Sequence, residues 1–564
     1  MTVPVRGDEE KTATTSSSEG EPPKEHLREE PKSEIPICPH CARLEIDNGA
    51  FDDQGIKLTR LQDSDAFQLQ QLELKRHLTR RETLAANPNR TWSQKLFEHD
   101  LPPLAPVSSY EEDVLEKKYG HTDSTGVKYI KGYDQRKWIM RPRALNFHKD
   151  GVLHRTKGRR GSSRPELFLD LLYVGMIANL ANNAAGEPAG VALLEYFIFF
   201  MPVWTVWNDI KDFSNFYYNE DLTQVTTLFW IICLLVFYIN SHVGFNKSYS
   251  QSAAVVVPYM LCRLTLATSL IIYSFYIPEH RTQQRLYAGT IVVTSLSWIA
   301  VIFVSIRVKI ALALAFFFLE QLSSVICFHP LTKRLLRLST SIAMNLEHEM
   351  DRYSTFVTIA IGEFLYVAVA KAPLGEGFSS KYLRGVFLLL DAYLLFWLYF
   401  FGGLTFKAIH PLRNNVWTST VWSYSHLPLI SALVLAANAG GEMCKIAVGR
   451  TQNYDDMLGL AFFYNGGICV ALWSLLVQGL VEKNLDGKGA HCIGPKWKIS
   501  LRLFVGLAVV LVSFAEINAT LLMGVTTALL FGLFVFECFV DDLARAIVGM
   551  VKHRNSEEKK NGSR

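Results

Sequence analysis

The stretch RPELFLDLLYVGMIANLANNAA, from Arg164 to Ala185, decides the fold. It follows HRTKGRRGSSR, a block of positive charge running from His154 to Arg164. About 20 mainly apolar residues cross the hydrocarbon core of a bilayer, and Lys and Arg beside such a run hold that end on the cytosolic side. About twelve runs of this kind succeed one another from here to the end of the 564-residue chain. Up to Arg164 the chain carries 28 Lys and Arg and 26 Asp and Glu, whereas the remaining 400 residues carry only 29 and 27. A soluble enzyme occupying most of the chain is therefore excluded.

The pattern predicts an all-α polytopic membrane protein of about twelve transmembrane helices with a cytosolic amino-terminal appendage. Residues 1–57, rich in Ser, Glu, Lys and Pro, read as a disordered cytosolic tail, and 58–165 as a polar, partly helical cytosolic segment with a basic juxtamembrane end. The first six spans are expected at 166–184, 190–208, 223–243, 253–276, 285–306 and 308–328, together filling 166–328. A cytosolic loop over 329–351 separates them from spans at 352–370, 383–406, 424–444, 457–480, 499–516 and 519–540, which fill 352–540. A cytosolic carboxyl tail takes 541–564. No secretory leader precedes the first span, which then acts as the targeting signal.

With an inside amino terminus, the inner segments carry 24 Lys and Arg and the outer loops about 7. That bias predicts an integral membrane protein with both termini cytosolic. An internal echo, Asp170-Leu-Leu-Tyr-Val against Glu363-Phe-Leu-Tyr-Val, with Trp204 falling on Trp397 at the same offset, suggests two six-helix parallel repeats.

Ionisable residues inside hydrocarbon normally face a partner or a cavity, so the embedded ones are the candidates. Glu166 suits a helix N-terminus beside Pro165, and Asp170 lies one turn deeper on the same face. Asn179, Asn182 and Asn183 extend a polar stripe toward the outer end. Arg263, Glu363 and Glu442 lie within later spans, as do Glu320, Asp391 and Glu516. One embedded base cannot neutralise this many acids, so some must be protonated, face water or headgroups, or await a cation. Asp170, Arg263 and Glu363 are expected to form one inward-facing cluster between the two halves. Arg263 pairs there with one of the two acids. His426, read as opening the ninth span, is either an interfacial cap or a titratable group at a pore mouth. His348, Asp351 and Arg352 read as cytosolic interface residues. Every one of these positions also has a plain reading as helix pairing.

Five motifs occur in order: ELFLD in the first span, W-x-x-W-N-D followed by SNFYYNEDL around the second, Y-M-L-C-R in the fourth, HEMDRYSTFVTIAIGE at the seventh, and Y-S-HLPL with a later Glu442 at the ninth. Together they resemble the bacterial low temperature requirement A family from about Arg164 to the tenth span, leaving the appendage outside. Leu169 and Tyr173 stand where that family usually has Phe, and Asp351 where Glu is usual. The resemblance implies a multi-pass membrane protein without a settled activity. A second likeness, carried by Arg164, Glu166, Phe168 and Asp170, is to lysosomal potassium channels built from two six-helix repeats. Leu169 replaces the Ser of that signature, and the seventh span lacks its full pattern.

Cys38-Pro-His-Cys41 has zinc-knuckle spacing but no second ligand pair follows, so no metal is expected. No phosphate loop or nucleophile elbow is present in a supporting context. Neither enzymatic activity nor a cofactor is expected. The basic block from Arg155 to Arg164 is expected to meet anionic lipid headgroups rather than nucleic acid. The expected role is movement of a small cation, proton or solute. The competing class is a non-transporting scaffold or stress-adaptation factor that binds lipid or protein, and homo-oligomerisation is left open.

Overall fold

A computed structural model describes residues 127–130, 138–149, 152–156, 160–217, 219, 221–371, 377–400, 408–446, 454–485, 494–515 and 517–561. The predicted tail over 1–57, the polar segment up to residue 126, the Cys38 and Cys41 pair and Glu516 lie outside them. Met1–Pro106 is a unit of its own, and the architecture below belongs to Val107–Arg564.

Twelve long helices follow one another: α1 Arg164–Gly186, α2 Gly190–Tyr217, α3 Leu222–Ser241, α4 Tyr249–Tyr276, α5 Arg281–Ser297, α6 Ile306–Phe328, α7 Leu346–Tyr366, α8 Ser380–Phe400, α9 Val416–Lys445, α10 Tyr454–Val481, α11 Pro495–Val512 and α12 Ala519–Asn561. Among the described residues, eleven are long and apolar enough to cross a membrane. The exception is α11, whose otherwise apolar sequence includes Lys496, Lys498 and Arg502. In α12 the apolar part is Ala519–Val540, and the helix runs on through most of the predicted carboxyl tail to Asn561.

The neighbours of each helix repeat between halves. In the first six, α1 packs on α2 and α3, α3 on α4, α4 on α5, α5 on α6, and α6 back on α2; in the last six, α7 packs on α8 and α9, α9 on α10, α10 on α11, α11 on α12, and α12 back on α8. Six spans per half give the halves one orientation, as the echo around Asp170 and Glu363 suggested. In this scheme α11 stands where α5 stands, inside the ring of spans. The seam between halves is made by α1 and α2 against α7 and α9.

The loops sort cleanly onto two faces. On one, a small sheet joins β1 (Val127–Ile130), β2 (Asn146–Lys149), β3 (Val152–Thr156) and β4 (Thr340–Ile342) in the order β1-β3-β2-β4. The sheet was not expected, although Asp150-Gly151 between β2 and β3 is a strong hairpin signal. Phe147 stacks on His154 across it at 4.6 Å, and β4 ties the loop between α6 and α7 to the segment before α1. Trp138 O accepts from Leu222 N at the start of α3, and Thr340 Oγ1 donates to Glu279 O between α4 and α5. On the opposite face Asn183 of α1 meets His242 after α3 at 3.1 Å. There, Lys309 at the start of α6 donates to Phe245 O. Among the described residues of the first half, successive loops thus alternate between two faces.

Two helices begin earlier than apolarity alone indicated. Asn345 caps α7, accepting from His348 N at 3.2 Å, so His348 and Arg352 belong to the seventh helix and are fully buried, not interfacial. Asn415 forms a capping box with Thr418 at the start of α9, which places His426 about ten residues inside the helix and Pro428 in its interior rather than its first turn. The apolar run marks where hydrocarbon begins, while the side-chain cap marks where the helix begins.

Candidate functional site

The seam is held by two matched i,i+4 pairs. On α1 Glu166 and Asp170 point along one face, and on α7 His348 and Arg352 do the same. His348 Nε2 lies 3.0 Å from Glu166 Oε1. Arg352 grips Asp170 with two parallel bonds of 2.6 and 2.7 Å, the bidentate geometry that a guanidinium and a carboxylate favour. Trp207 Nε1 of α2 donates to Asp170 Oδ1 at 2.8 Å, and Asp170 and Arg352 are wholly buried. Asn215 Nδ2, 3.2 Å from His348 Nδ1, can only donate there. The Nδ1 position is thus the acceptor, and Nε2 carries the proton toward Glu166.

Helix α2 contributes a third row at the same spacing, Trp207, Lys211 and Asn215. Lys211 Nζ donates to Glu349, lies 2.9 Å from Asp212 and sits 4.7 Å above the ring of Tyr353. Below it, Trp207 and Phe356 stack at 4.5 Å, an aromatic floor that keeps water from the ion pairs.

A second cluster fills the first half. Arg263 of α4 lies 3.4 Å from Asp209 of α2 and 3.2 Å from Glu320 of α6. Tyr287 donates to Asp209 at 2.6 Å, while Tyr259 and Trp298 donate to Glu320 at 2.6 and 2.9 Å. The expected cluster of Asp170, Arg263 and Glu363 is therefore not formed, and Arg263 pairs with neither acid. The buried face of α4, with Tyr259, Arg263, Leu266 and Leu270 at helical spacing, looks into the first half rather than toward the seam. Glu363 instead accepts from Asn438 Nδ2 of α9 at 3.2 Å.

The other predicted residues disperse. Asn179 is exposed and accepts from Asn183 at 3.3 Å. His426 is buried against Tyr353 and Trp422, each ring centroid 4.4 Å away, with Tyr399 Oη at 3.2 Å. Glu442 makes a partly exposed i,i+3 pair with Lys445 at 2.6 Å. Asp391 accepts from Tyr464 between α8 and α10. Sequence reasoning missed Lys211, Glu349 and the buried pair of Arg502 in α11 with Glu537 in α12, two bonds of 2.8 Å. Arg502 and Glu537 were findable as charges inside apolar runs. Lys211 was not, because it lies beyond the apolar part of α2.

Around the two clusters stand six carboxylates, Glu166, Asp170, Asp209, Asp212, Glu320 and Glu349, against four cations, Lys211, Arg263, Arg352 and Arg160, the last 3.7 Å from Glu166. Outside the spans, burial pushes His280 down to about 3. Burial, helped by the charge of Arg413, pushes His410 down to about 4.

Residues 162–536 match the profile of the bacterial low temperature requirement A protein, LtrA. The chain belongs to the LtrA family. The match begins just before α1 and reaches into α12, further than the tenth span to which the motifs extended, and it takes in both charge clusters. No curated protein matches this LtrA chain, and no solved structure does. The motifs that carried the resemblance are the charged rows themselves: W-x-x-W-N-D supplies Trp207 and Asp209, and HEMDR supplies His348, Glu349 and Arg352.

Proposed function

We propose that this LtrA family member moves a small cation or a proton across its membrane, through the first six-helix half and its seam with the second. The observation that supports the reading is the surplus of two carboxylates over cations. A charge left uncompensated at the centre of a bilayer costs at least about 2.5 kcal/mol. Protons or bound cations offset such a surplus, and either can exchange. The acids also step inward from the sheet face, Glu166 and Glu349 first, then Asp170 and Asp209, then Glu320, which gives an exchanging ion successive stations. In this reading the protein is not an enzyme and needs no cofactor. Both termini lie in the cytosol, and Arg155 to Arg164 meet anionic headgroups rather than nucleic acid. A homo-oligomer is compatible with it.

The closed Asp170–Arg352 pair favours a second reading for the seam alone, as a lock between halves in a non-transporting scaffold. Purified protein in liposomes, assayed for potassium, sodium and proton flux with ion substitution, separates the two. Asp209→Asn and Glu320→Gln, kept only if thermally stable, should alter flux or its pH profile. Well-folded protein that passes none of the three ions supports the scaffold.

A further inference from the structure

Between α2, α4, α5 and α6, directly beneath the sheet, lies a cleft lined by Asp209, Asp212, Tyr217, Gln284 and Tyr287 on its polar side. Its closed part has room for one particle the size of a water molecule. Apolar groups, among them Phe213, Phe216, Phe328 and Leu270, make the rest of the wall. The polar groups facing it are not satisfied by the protein. Tyr217 Oη, Gln284 Oε1 and Nε2, and Asp209 Oδ2 are all buried and make no well-formed hydrogen bond, the Tyr217 hydroxyl and the Gln284 amide lying close enough to interact with each other, and Gln284 is 1% exposed. Asp209 Oδ1 is already taken by Tyr287, so Oδ2 is the free lone-pair donor of that carboxylate. Its ion pair with Arg263 Nε, at 3.4 Å, is not a hydrogen bond.

Buried polar groups without well-formed hydrogen bonds are costly, and a single bound particle can satisfy several of them together. The groups converging here are a carboxylate oxygen, an amide oxygen and a phenol oxygen, with aromatic faces close by. Oxygens of this kind replace part of a cation's hydration shell, and ring faces attract a cation electrostatically. A divalent ion is a poor match. Mg²⁺ dehydrates reluctantly and keeps several waters, for which a closed part the size of one water has no room.

We infer that this cleft is a binding site for a dehydrated monovalent cation of about the size of water, potassium or ammonium, held by Asp209, Gln284 and Tyr217. The inference rests on the reading that the first half handles a small cation, and it names where that cation stops. The site lies at the sheet-face end of the path, under Ile342 of β4 and beside Gln283, whose Oε1 accepts from Ile342 N at 2.9 Å. The sheet therefore roofs the cleft at Ile342.

Binding is tested on the full-length chain, purified in nanodiscs, with radioactive rubidium as the probe and potassium, ammonium, sodium, magnesium and N-methylglucamine as competitors at constant ionic strength. Saturable rubidium binding displaced by potassium and ammonium, and not by N-methylglucamine or magnesium, is expected. Gln284→Met, which keeps length and removes the amide, and Tyr217→Phe should each weaken binding at least tenfold. Thr420→Ala, at a half-buried position of α9 that does not line the cleft, should not change it. Asp209→Asn is expected to abolish binding, and Gln284→Met carries the test if that variant unfolds. No saturable rubidium binding to well-folded parent protein, or unchanged affinity in folded Gln284→Met and Tyr217→Phe, overturns the site and leaves a trapped water as its occupant. Flux without an effect of these variants removes the site but spares the transport reading. Binding that they weaken, in a protein with no flux, does the reverse.

Discussion

Removing one charge from the Asp170–Arg352 pair should be among the most damaging conservative changes the protein can suffer. Asp170→Asn keeps the shape of the side chain but leaves the Arg352 guanidinium fully buried, and its Nε is already without a partner. Breaking a buried ion pair from one side costs about 3–5 kcal/mol. Trp207 Nε1 keeps an acceptor in the Asn oxygen, so the loss comes from Arg352 and not from the indole. At roughly 2 °C per kcal/mol for a chain of this size, the midpoint of thermal unfolding falls by about 6–10 °C. Arg352→Gln should cost a similar amount by stranding the carboxylate. If the two groups act on each other, the double variant loses about as much as either single one, not the sum of about 6–10 kcal/mol. The assay is tryptophan fluorescence on heating in one detergent, on fractions monodisperse by size exclusion. Losses that add across the cycle, or an unchanged midpoint in Asp170→Asn, would refute the pairing as the lock of the seam.

Three further outcomes are expected. His280 and His410 are held neutral by burial, with folded pKa values near 3 and 4 against 6.5 when unfolded; the unfolded chain binds more protons between those limits. Stability is therefore complete above about pH 6.5 and falls with acid, by up to about 2 kcal/mol per imidazole down to pH 5, and His280→Gln should flatten the pH dependence of the unfolding midpoint. A Cβ at Gly441 would sit 1.8 Å from Val367 Cγ1, so Gly441→Ala should cost about 1–3 kcal/mol and Val367→Ala should restore most of it; a silent Gly441→Ala in the same melt would show that α9 and the turn after α7 are not so close. Deleting Met1–Pro106, which supplies none of the described helices, should leave a monodisperse membrane protein by size exclusion, and aggregation of the deletion variant would show that the helical part needs it.

The long apolar helices were legible because hydrophobic run length answers directly to bilayer thickness. The pairing of embedded charges was not, because run length says nothing about which face of a helix meets which neighbour. Asp170 illustrates both. Its burial followed from its place in RPELFLDLLYV, yet its partner lies 182 residues away on a helix that the apolar run alone started at Arg352 itself. Read instead from the cap at Asn345, the motif HEMDR becomes helical, and His348 and Arg352 fall on one face at the spacing of Glu166 and Asp170. The sheet was missed for a related reason: Asp150-Gly151 lies in a segment read as polar and partly helical, and β4 lies in a short loop with no alternation long enough to read.

The repeat sharpens what the charges mean. If packing alone had fixed the polar residues, equivalent helices in the two halves would carry equivalent pairs, since the same neighbours meet in both. They do not. Asp170 on α1 reaches across the seam to Arg352, while Glu363, its echo on α7, accepts from Asn438 of α9. The first half gathers Asp209, Arg263 and Glu320 around α4. In the second, Arg502 is moved to α11 and closed off bidentately by Glu537. The shared scaffold is thus satisfied by two different sets of side chains, and the one with more carboxylates than cations also holds the cleft with unsatisfied oxygens. Helix pairing explains the balanced set. In the proposed reading a cation or a proton completes the unbalanced set, which is why flux and binding, not stability, are the measurements that decide what the first half does.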